Sequence, residues 1–180
     1  MKTLTCVFVV SFAVVVAAVP SLLSAQAAPS PAKELAASFK RAATEIVDIA
    51  EVMPADKYGY KPTPEMSSFG DQLVHVSGIV QRFIDSAKGV KTEAHDHGAM
   101  AKPEVIAMLK TTFSTAEGMI APLTDAQLLE PVKFPFGDRT VTRGTFWQGP
   151  LYQIRNHHGQ LVVYLRLNGI VPPTTAAARR

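Results

Sequence analysis

Residues 68–89 read SFGDQLVHVSGIVQRFIDSAKG and contain the signals for both the start and the end of a helix. Ser67 or Ser68 can cap the start, and Asp71 places an acid in the first turn. Lys88 and Gly89 supply a cation and a C-cap glycine at the end. Large apolar residues recur between them at steps of three and four: Phe69, Leu73, Val76, Ile79, Val80, Phe83 and Ile84. The stretch therefore predicts an amphipathic helix with one buried face.

Three further segments carry the same helical spacing, over residues 33–53, 103–120 and 145–168. Each is bounded by proline or glycine, the residues that most often end or start a helix. Residues 132–142 differ, because apolar residues alternate on both sides of a Gly-Asp turn. The sequence therefore predicts an all-α four-helix bundle with a long crossing connection. A small β-hairpin or extended excursion precedes the last helix.

The first 27 residues have the order of a secretory signal peptide. A positive start at Lys2 precedes an uncharged apolar run, and an Ala-x-Ala site ends at Ala27. An uncleaved membrane anchor is the alternative, since the apolar run is long enough to span a bilayer. Pro20 and the cleavage site favour removal, which would leave no membrane span. We therefore predict an exported, periplasmic or extracellular protein, with the bundle in residues 28–173 and a disordered tail in residues 174–180.

Cysteine content and charge exclude several classes of function. Cys6 is the one cysteine and lies in the leader, so the mature chain has no disulfide, thiolate metal ligand or cysteine nucleophile. Removal of Lys2 lowers the formal charge from +3 to +2. An excess this small gives no reason to expect a nucleic-acid partner.

The histidines are the residues most able to carry chemistry. They occur as His75 in the second helix, His95 and His97 in a polar loop, and His157 and His158 in the last helix. Inward histidines on facing helices are how bundle cores build metal sites, and neutral imidazole suits Zn, Ni, Cu or Fe. The same spacing also fits ordinary core or surface residues, and for the loop pair we favour a solvated polar segment.

Three stretches together resemble the DinB/YfiT-like family. They are MPADKYGYKP at 53–62, SFGDQLVHV at 68–76 and HHGQLVVYLRLNG at 157–169. They are similar, in this order, to the first loop, the second helix and the last helix of that family. The resemblance implies up-down-down-up topology, frequent dimerisation, and a divalent metal held by three histidines.

Carried onto this sequence, the resemblance implies a metal site formed by three residues. The histidine of the second helix matches His75. The last helix supplies two ligands four residues apart, of which the second matches His157 and the first falls on Gln153. An amide oxygen is a poorer ligand for a transition metal than imidazole. We therefore expect a site for Zn, Ni or a similar divalent ion that is weakened, altered in its preference for ions, or without metal.

For each of three neighbouring residues the sequence fits two different roles. Asp71 lies one turn before His75 and either orients that ligand or serves as the first-turn acid of its helix, the reading that we favour. Trp147 and Tyr152 either line the mouth of a pocket or belong to the core.

The resemblance implies a metal-dependent hydrolase or transferase that acts on an unknown small molecule, with no catalytic residue assigned. Transferases of the family that this sequence resembles use low-molecular-weight thiols, which are chiefly cytoplasmic. Hydrolysis is therefore the better enzymatic hypothesis for an exported protein. The alternatives are a non-catalytic bundle that binds a small ligand or metal through a degenerate site, and an interaction module that forms a homodimer through its helices.

Overall fold

The structure is a computed structural model that describes residues 29–92 and 100–178. The predicted signal peptide and the His95–His97 pair lie outside these residues. The helices and strands are α1 (Pro31–Val52), α2 (Phe69–Ala87), α3 (Lys102–Ile120), β1 (Pro131–Lys133), β2 (Thr140–Thr142), α4 (Arg143–Leu167) and α5 (Pro173–Ala177). The four predicted long helices and the hairpin before the last of them are confirmed.

The four long helices form a bundle in which α1 and α2 each pack against both α3 and α4. Lys102 Nζ lies 2.7 Å from the carbonyl oxygen of Met53, which joins the start of α3 to the end of α1. Phe83 meets Phe146 at 5.1 Å between ring centroids, which joins the end of α2 to the start of α4. Thus α1 and α4 run up, α2 and α3 run down, and the predicted topology is confirmed. We call the end where α2 begins the upper end, and the end where α4 begins the lower end.

The first turn of α2 is fixed by reciprocal hydrogen bonds. The backbone N–H of Asp71 donates to Ser68 Oγ at 3.1 Å, and that of Ser68 donates to Asp71 Oδ2 at 3.2 Å. This capping box satisfies two amide groups that a helix start leaves free. The apolar face that follows joins one core, whose largest members are Phe39, Ile46, Ile49, Met53, Phe69, Leu73, Phe83, Ile84, Leu109, Phe146, Trp147 and Tyr164.

The loop between α1 and α2 is tied down by Tyr58 and Tyr60. The buried Tyr58 hydroxyl donates to the carbonyl oxygen of Ala50 at 2.6 Å. The backbone carbonyl of Tyr58 accepts from Gly70 N–H at 2.8 Å. The Phe69 N–H donates to the carbonyl oxygen of Tyr60 at 3.0 Å. A Cβ at position 70 would lie only 3.3 Å from that Tyr58 oxygen, so glycine permits this close approach. The entry of the chain into α2 is therefore fixed by the loop.

The hairpin closes the lower end of the bundle. Its strands pair antiparallel with Val132 opposite Val141, and Gly137 adopts φ 72° at the turn. The side chain of Thr142, the last residue of β2, caps α4 by accepting from Thr145 N–H. The hairpin thus passes directly into the last helix.

The C-terminal segment differs from the prediction of disorder from residue 174. Pro173 begins α5, because its fixed φ suits a first turn and the alanines after it favour helix. This short helix packs against α1. Within residues 29–92 and 100–178, no helix combines the length and the apolar character that crossing a membrane requires.

Candidate functional site

His75 and His157 meet where α2 and α4 pack against each other. The centroids of the two imidazole rings lie 5.0 Å apart, and the ring planes are inclined at 68°. His157 is buried, with 7% of its surface exposed, whereas His75 is exposed. The pair therefore spans the boundary between the bundle interior and solvent.

Gln72 orients the buried imidazole. Its Oε1 lies 2.9 Å from His157 Nδ1. Burial raises the pKa of Tyr164, and the neighbouring Gln72 side chain works against that rise. The Tyr164 hydroxyl in turn donates to the carbonyl oxygen of Ser67 at 2.7 Å.

The amide oxygen of Gln72 determines the tautomer of His157. An amide oxygen can only accept a hydrogen bond, so with Gln72 Oε1 2.9 Å away His157 Nδ1 carries the proton. His157 Nε2 then keeps a free lone pair. A hydrogen bond from the distal ring nitrogen to a neighbouring oxygen is the usual support of a metal-binding histidine. Gln72 is thus a residue of the site to which sequence reasoning assigned no role, although its position three residues before His75 placed it on the same helix face.

The surroundings of His157 favour its neutral form. Burial lowers its pKa, and the nearby His75 lowers it further because a positive charge there disfavours a second one. Neutral imidazole is the form that binds a metal. The lowered pKa of His157 is therefore what we expect both of a metal-binding histidine and of an ordinary buried histidine.

The separation of the two rings also fits a shared ion. Two imidazoles that bind one Zn²⁺ at a tetrahedral angle have ring centroids roughly 5 Å apart, given Zn–N distances of about 2.0–2.1 Å. The observed centroid distance is 5.0 Å. The ring separation is therefore compatible with two imidazoles that share one ion, and equally with an ordinary edge-to-face contact between two rings.

The third predicted ligand is an amide rather than an imidazole. Gln153 is partly buried and lies one turn before His157, on the same face of α4. No group of three or more His, Cys, Asp or Glu side chains able to hold a metal occurs within residues 29–92 and 100–178. A third protein ligand at this site must therefore be of another type, such as the Gln153 side chain.

The other predicted residues have surroundings of their own. Asp71 is engaged in the capping box of α2. Trp147 is 2% exposed and packs edge-on against Phe146, near the lower end. Tyr152 is 69% exposed on α4. His158 faces α1 instead, where its Nε2 lies 3.9 Å from Glu45 Oε2.

The four helices and the hairpin before the last of them define a class of helical bundles. The family model described as the DinB superfamily matches residues 38–161. The chain therefore belongs to the DinB superfamily.

Solved structures agree with this assignment at the level of the fold. A DinB-like protein from Bacillus cereus ATCC 10987 is 17% identical with a TM-score of 0.65, and the match covers 77% of this chain and 93% of that one. The DinB-like protein YjoA from Bacillus subtilis is 21% identical with a TM-score of 0.60, over 76% and 92% of the two chains. A conserved protein from Enterococcus faecalis is 13% identical with a TM-score of 0.60, over 78% and 98%. None of the curated proteins matches the chain.

Proposed function

We propose that this DinB-superfamily protein binds one divalent transition-metal ion through His75 and His157, with Gln153 as the third protein ligand. The observation that carries the proposal is the 5.0 Å separation of the two imidazole rings. The hydrogen bond from His157 to Gln72 and the lowered pKa of His157 support it, because both favour a neutral imidazole with a free Nε2.

A bound divalent ion would supply a Lewis acid to a small substrate that enters from the exposed side of His75. The chain contributes the orientation of His157 through Gln72. The acid nearest to the pair in sequence, Asp71, is hydrogen-bonded in the helix cap. We therefore assign no general base, and metal-dependent hydrolysis or group transfer of an unidentified small molecule is the enzymatic form of the proposal.

A non-catalytic form of the same proposal is favoured by one feature of the site. Gln153 stands where the family resemblance implies a third imidazole, and an amide binds transition metals less tightly. A protein that only binds a metal or a small ligand needs neither a strong Lewis acid nor a general base. Assays of hydrolysis with and without added metal separate the two forms.

Metal titration of single-histidine variants tests the proposal. The purified protein is freed of metal with a chelator and titrated with Zn²⁺ and Ni²⁺ by calorimetry. We expect one ion per chain, with affinity at least about tenfold lower in His75→Ala and His157→Ala. His158→Ala is the matched control, because its imidazole faces Glu45 and its loss leaves both rings of the pair in place.

The reciprocal experiment adds a ligand. Gln153→His places a third imidazole one turn before His157, so we expect tighter binding of Zn²⁺ than in the unaltered protein. The metal proposal is overturned if no ion binds to either protein. It is equally overturned if His158→Ala weakens binding as much as His157→Ala.

We further propose that the protein is exported after cleavage following Ala27. The support for this proposal is the sequence itself, in which an uncharged apolar run follows Lys2 and ends in the Ala-x-Ala site at Ala27. Amino-terminal sequencing of the protein from fractionated cells should find Ala28 as the first residue. An intact Met1 in the membrane fraction would instead support a retained anchor.

We also propose a homodimer formed through the outer face of α4. Tyr152, Val163 and Leu167 are exposed there by 69%, 51% and 57%, and their spacing places them on one side of the helix. Light scattering should give twice the mass of one chain, and Val163→Glu should halve it. A monomer at all concentrations would contradict the proposal.

A further inference from the structure

A concave site lies at the lower end of the bundle, between the end of α2, β1 and the start of α4. It is a cavity of about 390 Å³. That volume is in the range of small-molecule pockets, which are about 300–1,000 Å³. The cavity shares no lining residue with the His75–His157 pair. Trp147, in its wall, precedes His157 by ten residues, which is about 15 Å along a helix.

One wall of this cavity is cationic. Lys88, Lys133 and Arg143 line it. Lys133 pairs with Asp138 at 2.9 Å and Arg143 pairs with Glu130 at 2.7 Å. The three cations therefore outnumber the two carboxylates by one. An anion in the cavity meets a net positive surface, and both carboxylates already have partners.

Arg143 has unused hydrogen-bonding capacity. Its side chain donates through one terminal nitrogen to Glu130. Its Nε is buried and has no hydrogen-bond partner within the described part of the chain. The Arg143 side chain is nevertheless 32% exposed, so an anion in the cavity can reach the outer nitrogens of the guanidinium. This accessible, permanently charged donor favours an anionic acceptor over a neutral apolar occupant.

The other wall is apolar and aromatic. Phe146 and Trp147 line it, and since each is only 2% exposed, the rings present little more than an edge to the cavity. Val132 of β1 completes this side. A wall of this kind holds the hydrocarbon part of a ligand, while the cationic wall holds its charged end.

We propose that this cavity binds a small amphiphilic carboxylate, with its charged end near Arg143 and Lys88 and its apolar chain against Trp147. The inference is independent of the metal site. It assigns a ligand class to a part of the molecule that the proposed function does not use.

The single tryptophan of the chain provides the readout. Trp147 lies in the cavity wall, so its fluorescence should change when the cavity fills. We would titrate the full-length protein with octanoate up to about 10 mM, which detects affinities in the millimolar range. Octanamide tests the need for charge, and acetate tests the need for an apolar chain. Calorimetry in parallel detects binding that leaves the fluorescence unchanged.

Charge-removing variants locate the site. We expect octanoate to bind roughly tenfold more weakly to Arg143→Gln and to Lys88→Gln, because each loses a cation at the cavity. Lys61→Gln is the matched control, since Lys61 lies in the loop before α2 at the opposite end. Lys88→Gln also keeps the test valid if Arg143→Gln does not fold, because the Arg143–Glu130 pair stays intact.

Three results would overturn the proposal. The first is neither heat nor a fluorescence change with octanoate. The second is equal binding of octanoate and octanamide with no effect of either variant, which would make the cavity merely apolar. The third is acetate binding as tightly as octanoate, which would make the aromatic wall irrelevant.

Discussion

Gly149 lies where α4 passes closest to the aromatic cluster at the lower end. A Cβ added there would be 2.5 Å from Phe83 Cζ and 2.8 Å from Phe83 Cε1. Carbon atoms that are not bonded pack at about 3.5–4.0 Å, so Gly149→Ala requires the Phe83 ring to move by about 1 Å. That ring is 1% exposed and packs edge-on against Phe134, Phe136 and Phe146. The ring therefore has little room to give way.

Two opposing terms decide the effect of Gly149→Ala on stability. Replacing glycine by alanine inside a helix favours folding by about 0.5–1 kcal/mol. Overpacking a tight core disfavours it by about 1–3 kcal/mol. The steric term wins, and we expect a net loss of about 0.5–2 kcal/mol in the free energy of unfolding. Gly159→Ala measures the gain from helix propensity alone. Gly159 lies in the same helix, and apart from its own stretch of helix backbone nothing among the described residues lies within 4 Å of an added Cβ.

Urea unfolding followed by far-UV circular dichroism measures both variants. We expect Gly159→Ala to be more stable than the unaltered protein by about 0.5–1 kcal/mol and Gly149→Ala to be less stable. The difference between the two variants, about 1–3 kcal/mol, then reports the overpacking at Phe83. The steric argument is refuted if both glycines gain stability equally on replacement by alanine.

The remaining predictions concern three hydrogen bonds. Gln72→Leu should weaken Zn²⁺ binding by about 10–100-fold in calorimetry, because His157 loses the acceptor that orients it. The control Gln81→Leu, on the same helix, should leave the affinity for Zn²⁺ unchanged. If both variants bind Zn²⁺ as tightly as the unaltered protein, Gln72 does not belong to the site. Burial raises the pKa of Tyr58, and the negative charge of Glu51 raises it further by a smaller amount. The folded protein therefore holds the phenol proton more tightly than the unfolded chain does. The contribution of Tyr58 to the free energy of unfolding is complete below the unfolded-state pKa of about 10 and is lost as the pH rises above it. Tyr58→Phe should therefore lose less stability than the unaltered protein when urea unfolding is repeated at alkaline pH, and parallel losses would contradict this. Ser77 donates to Thr112 across α2 and α3 at 2.9 Å, so Ser77→Ala should cost about 1–3 kcal/mol in urea unfolding by leaving a buried hydroxyl unpaired, and no loss would show that water or a rotamer change satisfies it.

The fold could be predicted from the sequence because its helices carry strong, mutually consistent signals. The stripe of α2 and its Ser-Asp cap appear in the structure as a buried face and a capping box. The helix starts were less predictable. The α1 helix begins at Pro31 because Ser30 caps it, and α4 begins at Arg143 because Thr142, the last residue of β2, caps it. Such caps depend on side-chain contacts that periodicity does not report.

The candidate site was predictable only in part. Family resemblance pointed to His75 and His157, and the packing of α2 against α4 brings their rings together. The partner of His157 was not predictable, because a glutamine in an amphipathic helix carries no spacing signal of its own. Its role emerges only from the packing of α2 against α4, which brings its amide oxygen to His157 Nδ1.

The contact between Gln72 and His157 depends on the segment that leads into α2. Gln72 lies near the start of α2 and binds His157 Nδ1 at 2.9 Å, and the Tyr164 hydroxyl of α4 donates to the carbonyl oxygen of Ser67, just before that helix, at 2.7 Å. The position of that segment depends in turn on Tyr58 and Tyr60 of the loop, whose backbone carbonyls accept from the first residues of α2. A change at the loop should therefore alter the orientation of His157 without touching it. This coupling gives a physical reason for the loop and the two histidines to occur together in one sequence.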